Sequence, residues 1–163
     1  MYCCSHGVIC GNSGMLQIFS GREGEFLSGH FEGRPHGGPG SLVFMDDAAH
    51  CLMSGFVGSS RPPYNDWSWK KSGTRFSHPN LIRLPNGRFI ASVALSDEKV
   101  RTSLCWFDVA TGKLTETLEL PAGREPVNVG LVLHDGQLWV SHYAPHGGEM
   151  GVYLSKVKLA DAR

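Results

Sequence analysis

Three stretches of the chain share one rhythm: a Pro or a small residue, an apolar run, a polar turn and a second apolar run. They start at Pro39 (PGSLVFMDDAAHCLMSGF), Pro79 (PNLIRLPNGRFIASVAL) and Val129 (VGLVLHDGQLWVSHYA). The dipeptides Asn86-Gly87 and Asp135-Gly136 sit at the centres of two of them. Residues that tolerate positive φ let a two-residue turn follow the twist of its strands, so each pair predicts a β-hairpin. The two turns stand 49 positions apart, close to the repeat of about 40–50 residues that propeller blades show.

Between these units lie shorter runs with the grammar of outer strands. Thr102 to Val109 (TSLCWFDV) and Lys113 to Leu120 (KLTETLEL) flank Ala110-Thr111-Gly112, where Gly supplies the bend. Near the start, Leu16 to Gly29 (LQIFSGREGEFLSG) predicts another hairpin turning at Arg22-Glu23-Gly24. The end, Gly151 to Leu159, predicts a strand with Val152, Leu154, Val157 and Leu159 as its apolar members. No segment carries a helical stripe, and no Gly/Ser linker divides the chain. The expectation is an all-β chain of about three to four four-stranded antiparallel blades. Counted from the hairpins, two complete blades are flanked by incomplete ones. A closed propeller has 4–8 blades, so this is a partial ring.

Composition narrows the function classes. Lys+Arg and Asp+Glu balance at 15 each, which removes the electrostatic case for nucleic acid or an anionic membrane. The 21 glycines and nine prolines suit many short strands joined by tight turns. No apolar stretch approaches the ~20 residues of a membrane helix. Met1 to Asn12 shows neither a basic n-region nor a continuous apolar run, so no signal peptide is read there and the cytoplasm is the expected compartment. Cys3, Cys4, His6 and Cys10 have zinc's preferred donor atoms. No second ligand pair follows at a usual spacing. The five cysteines are therefore read as free thiols, two or three of them buried, and neither metal nor cofactor is expected.

Taken in order, Gly58-SSRPPYNDWSW, His78-PNLIRLPNGR, Gly130-LVLHDGQLWVSHYAPHGG and Gly151-VYLSKVKL resemble the C-terminal blades of bacterial exo-sialidase-like proteins, the BNR-repeat family of six-bladed propellers. The likeness covers 58–159; residues 1–57 match more loosely, and the whole chain, 1–163, is read as one partial propeller domain. Ser20-GREGEF resembles an Asp-box turn with Arg22 in place of the Asp.

The resemblance implies a glycosidase chemistry that this chain departs from. Such enzymes grip a sugar carboxylate with arginines, whose planar guanidinium matches it bidentately. They attack with a Tyr activated by a Glu, an exception among glycosidases. Here Asn128 stands where the resemblance places the Tyr. Pro39-Gly40-Ser41-Leu42 lacks the Glu, and Ala94 replaces an Arg. The early blades that would supply an Asp acid/base are missing from the matched region. An amide cannot act as this nucleophile, so the family mechanism is not expected.

In a propeller, loops that approach the innermost strand and loops that leave the second strand open on one face. That places Arg75, His78 and Asn80, then Glu125 and Asn128, then Tyr143 and His146 around one rim as candidate substrate-binding residues. Three also have a structural reading: Arg75 as a solvated strand-end charge, Asn80 as a backbone cap, Glu125 as half of a surface pair with Arg124. Of the tryptophans, Trp67 and Trp69 are read as wedges, Trp106 and Trp139 as core, with at most one a sugar platform. Three readings stay open: a sialidase-type glycoside hydrolase relative, incomplete as this chain; a non-catalytic propeller segment binding glycan or protein through the rim; and an incomplete copy with no role of its own. Open blade edges also invite self-association.

Overall fold

The computed structural model describes residues 6–10, 16–20, 25–28, 40–45, 47–62, 66–122, 129–146 and 149–159; for the first three stretches and for His146 it describes backbone alone. The chain folds as fourteen strands among the described residues, with no helix, and hence none that could cross a membrane. They form four antiparallel sheets in chain order. The first is β1 (His6–Cys10), β2 (Leu16–Ser20) and β3 (Glu25–Ser28). The second is β4 (Gly40–Met45), β5 (Ala48–Met53), β6 (Phe56–Ser60) and β7 (Ser68–Lys71). The third is β8 (Phe76–Arg83), β9 (Phe89–Ser96), β10 (Val100–Asp108) and β11 (Lys113–Glu119). The fourth is β12 (Gly130–His134), β13 (Gln137–His146) and β14 (Glu149–Val157). Within each sheet sequence neighbours pair in order, and β4, β8 and β12, the first strands of their sheets, lie side by side. That is the radial plan of propeller blades: two with four strands between two with three, as the count from the hairpins led us to expect.

The hairpins obey their turn chemistry, with one difference. Asp135 (φ 49) and Gly136 (φ 69) are both left-handed, as a two-residue turn requires. Asn86 is not. Only Gly87 takes positive φ (82), the Gly87 N–H donates to Leu84 O at 2.9 Å, and the Leu84 N–H donates to Arg88 O at 2.8 Å. Pro85 presets the first turn position, and the loop gains a residue that Gly87 absorbs. Ser54 (φ 36) and Gly55 (φ 81) make a further two-residue turn between β5 and β6. The stretch from Pro39 therefore holds two strands and the start of a third. At the β10–β11 turn, Asp108 accepts bonds from the N–H groups of Ala110 and Thr111 and from the Thr111 hydroxyl, which leaves Gly112 (φ 75) to turn the chain.

Two apolar layers bind the sheets face to face. Leu52, Val57, Phe76, Leu81, Val93 and Phe107 fill the space between the second and third sheets. Ile90, Leu104, Leu138 and Val140 fill that between the third and fourth. Alternation explains why one strand serves both: odd and even positions of β9 face opposite neighbours, and its residues from Phe89 to Leu95 are all buried. Cys51 and Cys105 form no disulfide and are buried as small apolar groups; burial pushes the Cys105 thiol up to about 12. Cys3 and Cys4 of the thiol cluster lie outside the described residues.

The far side of the fourth sheet is different. Val132, Tyr143, Met150, Val152 and Leu154 are exposed there, Val152 to 69%. Trp139 lies on this side too, opposite Val132 and Lys156, with the Lys156 ammonium 4.3 Å from its ring centroid. It is therefore not the core residue the pattern suggested: period-two alternation shows that a face is apolar but not whether another sheet covers it.

The third sheet also carries an ion cluster at its outer edge. Arg101 grips Glu116 through Nε (2.8 Å) and Nη2 (2.6 Å) and reaches Asp97 with Nη2 (3.1 Å). These hydrogen bonds hold the Asp97 carboxyl down to about 2 and lower that of Glu116. Both are depressed below the ordinary carboxylate range of about 4, so their contribution is present above that range and is lost as pH falls through it towards 2. An Asp97→Asn/Glu116→Gln variant is expected to melt below the parent at pH 7, the two melting temperatures converging near pH 2 when thermal unfolding is followed by circular dichroism.

Candidate functional site

One face of the blades collects the chain segments 54–55, 72–75 and 97–99, because each strand reverses the direction of the one before. The segment that leads into β8 is built from the inside. The Ser72 N–H donates to Gly55 O at 3.0 Å, and the Ser72 hydroxyl donates to Thr74 O at 2.7 Å. The Ser96 N–H donates to Arg75 O at 3.0 Å. These bonds lay the Ser72–Arg75 segment across the tops of two sheets and fix where the Arg75 side chain starts.

The segment borders a cleft of about 460 Å³ lined by Lys71, Thr74, Arg75, Ser77, Ser96 and the Ser54-Gly55 turn, with Phe56 and Phe76 beneath. No carboxylate lines it. Arg75 is exposed and has no side-chain partner among the described residues. Two cations with four hydroxyls and no counter-charge constitute an anion-binding surface: the guanidinium supplies a planar pair of donors, and the ammonium a point charge.

Beside the cleft, β8 breaks its register. Ser77 pairs with Ala94 and Asn80 with Ser92, so His78 and Pro79 together oppose Val93. One extra residue bulges the strand. His78 sits in the bulge at φ 50, a conformation that costs a non-glycine residue about 1–2 kcal/mol, and the following Pro restricts it further. Its Nδ1 shares a hydrogen bond of 3.1 Å with Ser77 Oγ, so His78 orients a hydroxyl of the cleft. Strain at the lip of a polar cleft is where functional geometry is commonly held.

The bulge also aims the next two residues sideways. Asn80 Nδ2 donates to Val129 O at 2.8 Å, tying β8 to the start of β12. The Leu81 N–H donates to Ser41 Oγ at 2.9 Å, tying β8 to β4. Asn80 thus acts here as a backbone tether. Ser41, noted in the sequence only for not being a Glu, accepts the bond from the neighbouring blade.

Two of the remaining candidates, Tyr143 and His146, are not among the residues that line this cleft. Tyr143 is exposed opposite Val152 on the far side of the fourth sheet. His146 ends β13, its backbone paired with Glu149. Glu125 and Asn128 lie outside the described residues. Sequence reasoning passed over Lys71 and Ser96; only the fold brings the ends of β7 and β9 to the start of β8. It also passed over His142, which is buried between the third and fourth sheets, with Nε2 3.0 Å from Ser155 Oγ.

No family model and no curated protein matches the chain. Solved structures do. A protein described as Bacteroides ovatus Xyloglucan PUL GH43B aligns over 96% of this chain and 39% of its own, with a TM-score of 0.64 and 14% sequence identity. A Bifidobacterium bifidum s17 protein assigned as an exo-beta-1,3-galactanase aligns over 82% of this chain and 53% of its own, with a TM-score of 0.51 and 10% identity. At these identities the likeness shows the fold, a β-propeller, and this chain spans between two fifths and about half of the two neighbours' length. Both neighbours belong to the glycosidase side of the propellers, and neither is a sialidase.

The bulge gives the first test at this site. Glycine adopts positive φ without the Cβ penalty, so His78→Gly is expected to be more stable than His78→Ala by about 1 kcal/mol, measured by urea unfolding. Equal stabilities, or a more stable alanine variant, would remove the strain from the description.

Proposed function

We propose that this chain is a glycan-binding propeller segment of glycosidase ancestry that binds without hydrolysing, and that its cationic cleft takes the acidic group of a sugar. The observation that carries the reading is the pairing of Lys71 with an unpartnered Arg75 in a hydroxyl-lined cleft without a carboxylate. A carboxylate or sulfate on a sugar ring fits that surface, whereas an unsubstituted hexose gives the guanidinium no charge to meet. The propeller neighbours, a xyloglucan PUL GH43B protein and a protein assigned as an exo-beta-1,3-galactanase, support a carbohydrate ligand. The sialidase likeness of the sequence points to the same acidic class of sugar.

Absence of turnover follows from the sequence departures. Asn128 has neither an ionisable hydroxyl nor basicity, and Ser41 is already engaged by the Leu81 N–H. A glycosidase needs a nucleophile or a pair of carboxylates flanking the bond, and the described cleft offers neither.

Calorimetric titration with an acidic trisaccharide, such as a sialyllactose, against lactose tests the reading. The acidic sugar is expected to bind, lactose to bind at least tenfold more weakly, and Arg75→Ala to erase the difference; a hydrogen bond to a charged group contributes about 1.5–3 kcal/mol, roughly ten- to a hundredfold. Equal affinity for both sugars, or cleavage of a fluorogenic sialoside that persists in Arg75→Ala, would overturn it.

A further inference from the structure

The face opposite Arg75 holds a second cleft, independent of the first. It lies where β6 ends and β7 begins, has a volume of about 620 Å³, and is bordered by Ser59, Arg61, Asp66, Trp67 and Ser68. We propose that it is a binding site for a neutral hexose unit of an oligosaccharide, with Trp67 as its platform.

The argument starts from a glycine. Gly58 on β6 pairs with Trp69 on β7. A Cβ placed on Gly58 would stand 2.5 Å from the Trp69 ring carbons, so only a glycine lets the indole lie flat on the β6 backbone. Trp67 then stacks on Trp69, centroids 5.4 Å apart and planes 21° from parallel. A fixed surface thus supports each ring in turn, Gly58 under Trp69 and Trp69 under Trp67, and both indoles pack against buried Cys51 and Met53. The Ser60 hydroxyl donates to Asp66 O at 2.6 Å, which fastens the backbone just before Trp67. The platform is held in place before any ligand arrives.

Chemistry selects the ligand class. The axial C–H face of a pyranose is apolar and carries positive edges, which suits the negative face of an indole. Arg61 and Asp66 are both exposed at the same cleft, one donor-only and one acceptor-only, and neither forms an ion pair among the described residues. Neighbouring ring hydroxyls can donate to the Asp66 carboxylate and accept from the Arg61 guanidinium. One charge of each sign gives no preference for an anion, in contrast to the cleft around Lys71 and Arg75. A few polar groups beside an aromatic wall are the usual make-up of a small-ligand site.

The test is a titration of the whole chain with β-1,4-glucan and β-1,3-galactan oligosaccharides, followed through the indole Nε1–H signals in nitrogen-edited NMR spectra. At least one oligosaccharide is expected to shift the Trp67 signal saturably. Trp67→Ala and, separately, Arg61→Ala/Asp66→Asn should each weaken that binding at least tenfold, while Arg75→Ala leaves it unchanged. Should Trp67→Ala lose its β-sheet circular dichroism, the Arg61/Asp66 variant decides alone. A folded variant that binds as the parent does, an affinity that falls with Arg75→Ala instead, or a Trp67 signal that no oligosaccharide moves at millimolar concentration would each overturn the proposal. Because the acidic-sugar titration reads the other face, either result can fail without the other.

Discussion

The bulge at His78-Pro79 in β8 is the feature on which the arrangement of the sheets depends. Blades of a propeller do not share backbone ladders with one another; their innermost strands approach at an angle and are held mostly by apolar contact. Here the third sheet adds two polar ties, from the Leu81 N–H to Ser41 and from the Asn80 amide to Val129 O. Both come from the residues immediately after the bulge, where the ladder to β9 has just been interrupted. A regular β8 would spend the Leu81 N–H differently and point Asn80 elsewhere. The left-handed His78 is the cost of that geometry, and the same residue positions the Ser77 hydroxyl at the cleft.

Packing and electrostatics then divide the labour. The two apolar layers either side of the third sheet supply the main driving force, since burying an apolar side chain of Leu or Phe size contributes about 1.5–3 kcal/mol. Charges are kept to the edges. Arg101 with Asp97 and Glu116 closes the outer end of β10 and β11, and no carboxylate lines the cleft beside Lys71 and Arg75. The two clefts differ for this reason: one is cationic, and the other balances Arg61 against Asp66 beside an indole stack.

The blade plan was legible because hairpin chemistry is local. Asp135-Gly136 and the alternating runs around it translate directly into β12 and β13, and the flanking incomplete sheets follow from counting strands. What the sequence hid depends on neighbours. Ser54-Gly55 reads as the tail of an apolar run until β6 pairs with β5. Residues before proline favour extended backbone, so His78 gives no warning of its left-handed turn. Trp139 and Trp106 look alike as strand aromatics, yet Trp106 packs with the layer between the third and fourth sheets, whereas Trp139 faces away from it. Arg75 could be named from its place before a strand; its partner Lys71 could not, because the ends of β7 and β9 meet only in the folded chain. Of the rim residues, Arg75, His78 and Asn80 lie on one strand approach and Tyr143 on another surface.

Backbone hydrogen exchange offers the most direct measurement of the account. If β8 is tied to β4 through a side chain, the Leu81 amide is protected in the parent, and Ser41→Ala increases its exchange at least tenfold while Ile90 and Val93, in the ladder of the same sheet, keep theirs. A Leu81 amide that exchanges at the same rate with and without the Ser41 hydroxyl would show that the bulge does not hold the inner strands together, and the placement of both the sheets and the cleft would lose its foundation.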